Sequence, residues 1–145
     1  MIPSHTEREF EQRRQRIWKT LAGRYGEVTR TTDLTEAAAR RMQFDVALPG
    51  YGVGSDATMV FVERWRRVRD GWRLEEYAFD YFIEPRGSGR RAHHLHDGVM
   101  HAHCEDPLPR HAHYRDVEVD LLEAAGEFAT YFARGDITCA GLFPL

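Results

Sequence analysis

The sequence predicts an α+β fold: an antiparallel meander sheet flanked by N-terminal and C-terminal helices. Three observations predict it. Apolar residues recur at helical spacing near both ends, residues 57–84 alternate with period two, and Asp-Gly dipeptides at 70–71 and 97–98 mark tight hairpins. The 145 residues suit one domain, 1–145, with a basic N-terminal helix (1–26), antiparallel hairpins (57–105) and a C-terminal helix (116–134).

The first helix is expected over residues 4–22. Pro3 precedes it, Ser4 and Glu7 have capping-box spacing, Phe10, Ile17, Trp18 and Leu21 form its apolar stripe, and Gly23 and Gly26 stop it. Arg8, Arg13, Arg14, Arg16, Lys19, Arg24 and Arg30 against Glu7, Glu9, Glu11 and Glu27 give 7 − 4 = +3 over the first thirty residues, read as a solvated basic face. Asp33 and Glu36 then stand at N-capping spacing before Ala37, Ala38, Ala39, Arg40 and Arg41, which predicts a short helix, followed by a strand from about Met42 to Leu48. The Gly-rich run 49–56 has no Gly-Lys-Ser/Thr ending and leads into a β-type pattern, so it is a connector and not a phosphate loop.

In residues 57–84, a two-residue turn at Asp70-Gly71 makes paired positions sum to 141. Val60 then faces Tyr81, Val62 faces Phe79, Arg64 faces Tyr77 and Arg66 faces Glu75. Val60, Val62, Tyr77, Phe79, Tyr81 and Ile83 form the expected core face. The opposite face carries Met59, Phe61, Trp65, Leu74 and Phe82 among charges, and is expected to be half covered by a helix. Arg64, Arg66, Arg67, Arg69 and Arg73 crowd the turn end, where solvated charge blunts a sheet edge. After a turn at Pro85–Gly89 and the histidine-rich run, the closing helix starts at Asp116 or Asp120 and reaches Ala133. Leu121, Leu122, Ala125, Phe128, Ala129 and Phe132 are its stripe, and its acidic first half suits the helix dipole.

Hydrophobic residues make up 42%, charged residues 30%, and the net charge is −3, which excludes a disordered chain. No apolar run approaches the roughly 20 residues of a membrane span, and the N-terminus lacks a secretory h-region, so the expected location is cytoplasmic, with no membrane partner. Cys104 and Cys139 are expected to be free thiols. Of the 20 basic residues only Lys19 is lysine, a bias credited to genome composition.

Seven of the eight histidines fall between His93 and His113. If Asp97-Gly98 makes a two-residue turn, opposed positions sum to 195: His96 faces Val99, His94 faces His101, and Ala92 faces His103. His94, His96, His101 and His103 then share one face, since side chains alternate along a strand. His111 and His113 follow the Asp106–Pro109 break and could come from an adjoining strand, while His5 and His93 are assigned no function. Such a patch could hold zinc or another transition metal, because neutral imidazole is a common ligand. Alternatively, with Arg90, Arg91 and Tyr114 near, it could perform acid and base work on a phosphodiester, since crowded imidazoles cannot all be charged. A polar sheet surface without chemistry is the third reading. A cupin site would need a glutamate where Pro107 and Leu108 stand, and the histidine-triad hydrolases need three alternating histidines in one strand, so neither fits.

Tyr77-Ala78-Phe79-Asp80-Tyr81, Gly87-Ser88-Gly89, His101-Ala102-His103, the segment Pro107 to Tyr114, and Leu121-Leu122 with Phe128 form a succession that resembles the small TumE-like toxins of toxin–antitoxin systems and related uncharacterised domains. The resemblance covers roughly residues 57–134, while the basic N-terminal helix and the doubled His-x-His depart from it. It implies an antiparallel α+β domain encoded beside an antitoxin partner and acting on RNA, and it carries over His101 and His103. The expected function is thus a toxin that is a metal-independent ribonuclease without cofactor. His94, His96, His101 and His103 would be its acid and base groups, Arg90 and Arg91 would hold phosphate, and His111, His113 and Tyr114 would line the substrate. The alternatives are a metal-dependent hydrolase with those four histidines as ligands, and a non-catalytic interaction module whose oppositely charged helices dock partners or a second copy in a homodimer.

Overall fold

Antiparallel strands account for most of the chain between its two helices. The computed structural model describes residues 2–25, 27–48, 56–84, 90–105, 111–114 and 118–134. Helix α1 (Glu7–Tyr25) is followed by β1 (Glu27–Thr35), β2 (Ala39–Leu48), β3 (Asp56–Val68), β4 (Gly71–Glu84), β5 (Arg90–His96), β6 (Val99–Glu105) and β7 (His111–Tyr114), and then by α2 (Leu121–Arg134). The strands form one sheet in chain order, each antiparallel to the next. This is the predicted α+β meander with a helix at each end. The connector at 49–55, the turn at 85–89, the break at 106–110, Asp116 and Cys139 lie outside the described residues.

Both helices pack on one face of the sheet. Phe10 of α1 meets Trp65 of β3 edge to face at 5.4 Å, and Phe128 of α2 stacks on Phe61 of β3 at 6.1 Å. The buried layer beneath them comes from alternate strand positions: Phe44 and Val46, Met59 and Phe61, Phe79 and Tyr81. Helix α1 starts later than its spacing predicts, because the chain ahead of it is held extended. The backbones of His5 and Trp72 exchange two hydrogen bonds of 2.8 and 2.7 Å, so the reciprocal cap falls to Thr6 and Glu9 instead of Ser4 and Glu7. Gly71 admits this contact. A Cβ there would lie 1.9 Å from the His5 carbonyl oxygen.

Three expectations need correction. The short helix predicted over residues 37–41 is instead the end of a β-hairpin, closed by two backbone hydrogen bonds between Glu36 and Ala39. Alanine propensity loses here to tertiary anchoring: Arg40 bonds Asp33, Glu7 and Glu11 and covers the Phe10 ring at 4.2 Å. Second, the β3–β4 loop is Arg69-Asp70, and Glu75 is an extra residue, since Arg64 pairs with Glu76 but Trp65 with Leu74. Such a bulge shifts the count by one, so Val60 pairs with Asp80 and Phe61 with Phe79. Met59, Phe61 and Trp65 therefore enter the core with Tyr77, Phe79 and Tyr81, while Val60 and Val62 take the other face.

Third, the basic face of α1 is only partly solvated. Arg13 stands in the apolar stripe between Phe10 and Ile17 and is 4% exposed. It donates to Glu63 at 2.6 Å and to Asp120 at 3.1 Å, and Glu63 also accepts from the Trp65 indole at 3.4 Å. Burial alone would lower the Arg13 pKa, but the two carboxylates outweigh it and the net shift is upward. Asp120 meanwhile accepts from the Leu122 N–H at the start of α2, so one arginine joins both helices to the sheet. A second node lies at Arg40, whose pKa is raised by its bonds to Asp33 foremost and also to Glu7 and Glu11. Glu7 accepts from the Trp72 indole at 2.7 Å, which with Arg40 lowers its pKa.

Candidate functional site

Among the described residues no helix packs on the other face of the sheet, and the histidine hairpin contributes to that face. Asp97 and Gly98 both have positive φ, 51° and 75°, the conformation of a type I′ turn. A two-residue turn of this kind fixes the register as predicted: His96 opposes Val99, His94 opposes His101, and Ala92 opposes His103. One lateral row then crosses six strands beyond β1, from Thr32 through Gln43, Val62, Ala78, His94 and His101 to Tyr114. His103 sits on the neighbouring row, with Asp45, Val60, Asp80 and Ala92. Strand parity puts positions 90, 94, 96, 101, 103 and 114 on this open face. Positions 91, 111 and 113 have the opposite parity, in register with Cys104, Cys104 and Ala102 respectively. The sheet thus groups His94, His96, His101, His103, Arg90 and Tyr114 by position, and separates Arg91, His111 and His113 from them.

A groove of about 490 Å³ runs over this face. Val62 and Ala78 are its floor, Leu34, Glu36 and Arg41 one side, and His94, His96 and Glu76 the other, with Arg64 between them. Its size falls in the range of small-molecule sites. His94 is held by Asp80, with Nε2 at 3.3 Å from Oδ1. Asp80 is only 8% exposed, so a nearly buried carboxylate orients a histidine that reaches solvent. His96 diverges from it: Nδ1 lies 3.1 Å from Glu76 and Nε2 3.2 Å from Asp97. Across the groove floor, Arg41 donates to Gln43 at 2.9 Å and Gln43 to Asp45 at 2.9 Å. Arg64 stands 4.0 Å from Glu76, a loose pair that leaves both groups able to meet a ligand.

Two features favour different chemistries. A carboxylate-oriented imidazole beside a second imidazole position and two guanidinium groups suits proton transfer on an anionic substrate. Glu76, His96 and Asp97 instead bring three ligand atoms within 4.8 Å of one another, a nitrogen and oxygen donor set that would suit zinc or manganese. That set shares only His96 with the four histidines expected as ligands.

Sequence reasoning missed Asp80, Glu76, Gln43 and Arg41. Asp80 had a signal, since aspartate is depleted in strands and this one lies between Phe79 and Tyr81. His93 is also more than a bystander. It is fully buried on the helix side, its Nε2 is 2.9 Å from Glu127 of α2, and its ring stacks on Phe128 at 5.8 Å. It fastens β5 to α2, a structural task consistent with its having no part in the groove. Among the described residues no helix is long and apolar enough to cross a membrane. Comparison with known protein families, with curated proteins and with solved structures finds no match.

Proposed function

We propose that this chain cleaves RNA by acid–base chemistry in the open groove, without a metal ion, as the toxin of a cytoplasmic toxin–antitoxin pair. The observation that carries the reading is the Asp80–His94 couple at the groove wall, one strand away from His101. Residues opposed on antiparallel strands have Cα atoms about 5 Å apart, close enough for two imidazoles to serve one phosphodiester. With Asp80 accepting from Nε2–H, the basic lone pair of His94 is on Nδ1. His94 takes the proton of the ribose 2′-hydroxyl as that oxygen attacks phosphorus, His101 protonates the departing 5′ oxygen, and a 2′,3′-cyclic phosphate results. Arg41 and Arg64 stabilise the charge that builds on the non-bridging oxygens. The toxin role and the antitoxin partner rest on the resemblance of residues 57–134 to TumE-like chains.

The test is cleavage of a labelled single-stranded RNA by untagged protein in EDTA. His94→Gln should lower kcat about 10²-fold or more, the scale of a lost acid–base group. Asp80→Asn should lower kcat with little change in KM. RNA carrying a 2′-deoxyribose at the cleaved position should resist. Equal cleavage by wild type and His94→Gln refutes the site. In cells, expression without the neighbouring gene product should arrest growth, and unaffected growth removes the toxin role.

The Glu76, His96 and Asp97 cluster supports a second reading, a metal-dependent hydrolase. Under it, EDTA abolishes activity, zinc or manganese restores it, and His96→Ala is more damaging than His94→Gln.

A further inference from the structure

Basic residues also gather at the tip of the β3–β4 hairpin, next to the groove. Residues 64–75 hold five arginines against Asp70 and Glu75, 5 − 2 = +3 in a chain whose net charge is −3. Arg66 and Arg73 are paired directly across the two strands. Like charges so opposed destabilise a sheet unless an anion lies between them. No ion pair joins Arg66, Arg69 or Arg73 to a carboxylate among the described residues, and all three are exposed. Arg67, on the opposite parity, lies over the Trp72 ring at 5.8 Å. Arg66, Arg67, Arg69 and Arg73, together with Val68 and Glu75, line a cleft of about 420 Å³, four guanidinium groups against one carboxylate.

This cleft lies next to the groove along β3. Arg66 is two residues beyond Arg64 on the same face of β3, and its other neighbour, Ala39, lines the groove. Two residues along a strand span about 7 Å, comparable to the separation of successive phosphates in an extended polynucleotide. The cations therefore form consecutive rungs, Arg41 with Arg64 and then Arg66 with Arg73, in a single line leading away from His94. Each rung is one strand spacing wide, about 5 Å, so among the described residues the cations make one narrow band, whereas a duplex presents two phosphate rows separated by a groove.

We propose that Arg66, Arg69 and Arg73 form a second binding site, a track for the phosphate chain of single-stranded RNA that runs on from the groove. This deepens the ribonuclease reading by naming its substrate as an unpaired chain several nucleotides long. The track is sequence-independent, since it reads phosphates and no base edge.

The experiment uses a fluorescein-labelled 2′-O-methyl RNA of twelve nucleotides, which lacks the hydroxyl needed for cleavage, and anisotropy from 50 to 300 mM salt. The double variant R66Q/R73Q should bind at least tenfold more weakly than wild type at 50 mM, and its salt slope should fall by about 1.4, two phosphates at roughly 0.7 each. R66K/R73K keeps the charges and should retain most of the affinity, which guards against loss of folding as the cause. Cleavage of a dinucleotide, too short to reach the cleft, should be equal in wild type and R66Q/R73Q. The track is refuted if R66Q/R73Q keeps the wild-type affinity and slope, if a blunt RNA duplex binds wild type more tightly than the single strand, or if R66Q/R73Q changes the oligomeric state and not RNA binding. Binding with the expected salt slope but no cleavage of any RNA refutes the ribonuclease reading and leaves the track standing. Dinucleotide cleavage with no loss of binding in R66Q/R73Q does the reverse.

Discussion

Removing either partner of the buried Arg13–Glu63 pair should destabilise the protein, and by unequal amounts. The Glu63 carboxylate is fully buried, and the Arg13 side chain is 5% exposed. Breaking a buried pair by deleting one partner costs about 3–5 kcal/mol, because the other charge stays behind in a medium that solvates it poorly. In Glu63→Leu, Arg13 keeps Asp120 at 3.1 Å, and that carboxylate is 33% exposed and reaches water. The cost should fall at the low end, about 3 kcal/mol. In Arg13→Leu, Glu63 keeps, among the described residues, the Trp65 indole alone, at 3.4 Å, so the cost should reach about 5 kcal/mol. Substituting both, R13L/E63L, removes the buried charges together and should return stability to within about 1 kcal/mol of wild type. Urea unfolding at pH 7, followed by tryptophan fluorescence, measures all three. With an m-value of about 2 kcal/mol/M, Arg13→Leu should lower the midpoint by roughly 2 M or more. The account of this core is refuted if Glu63→Leu is the costlier single change, or if the double variant is as unstable as Arg13→Leu.

Three further outcomes follow from the fold. Gly71→Ala should break the His5–Trp72 bridge, since its Cβ would meet the His5 carbonyl, and hydrogen exchange should show both amides losing protection. Gly98→Ala meets no neighbouring atom, so its cost should be that of the left-handed backbone alone, about 1 kcal/mol, read as a thermal midpoint a few degrees lower. The Glu7 pKa is lowered in the folded protein by Trp72 first and by Arg40, so the unfolded chain binds that proton more readily. The stability it contributes is present above its ordinary value of 4.5 and is lost as pH falls through the lower folded value. Trp72→Phe should flatten the acid limb of a stability–pH curve in that window.

The elements most readable in the sequence are those fixed by local chemistry. The Asp97-Gly98 turn dictates its own geometry, and with it the pairing of His94 and His101, before any tertiary contact forms. The stripe of α2 is equally plain in Leu121, Ala125 and Phe128. What the sequence hides is set at a distance. Nothing in Arg73-Leu74-Glu75-Glu76 marks Glu75 as the extra residue, yet that one insertion decides which face of β3 is core and puts Asp80 on the face of His94. Alanines 37–39 read as helix because the anchors that hold Arg40 extended, Glu7, Glu11 and Asp33, lie elsewhere in the chain. Arg13 reads as surface because its partners are fifty and more than a hundred residues away.

The strictly sequential strand order has a bearing on how the protein is made. Each strand finds its partner in the chain just synthesised, so hairpins can add one at a time as the polypeptide leaves the ribosome, with little loop-closure entropy to overcome. The helices do not share this order. Helix α1 is complete first and can shelter Trp65 as soon as β3 emerges, whereas Phe61 and Tyr81 wait for Phe128 of α2. During that interval a nascent chain displays a bare aromatic strip beside an unfinished sheet edge, the kind of surface that holding chaperones bind and that promotes aggregation when translation stalls.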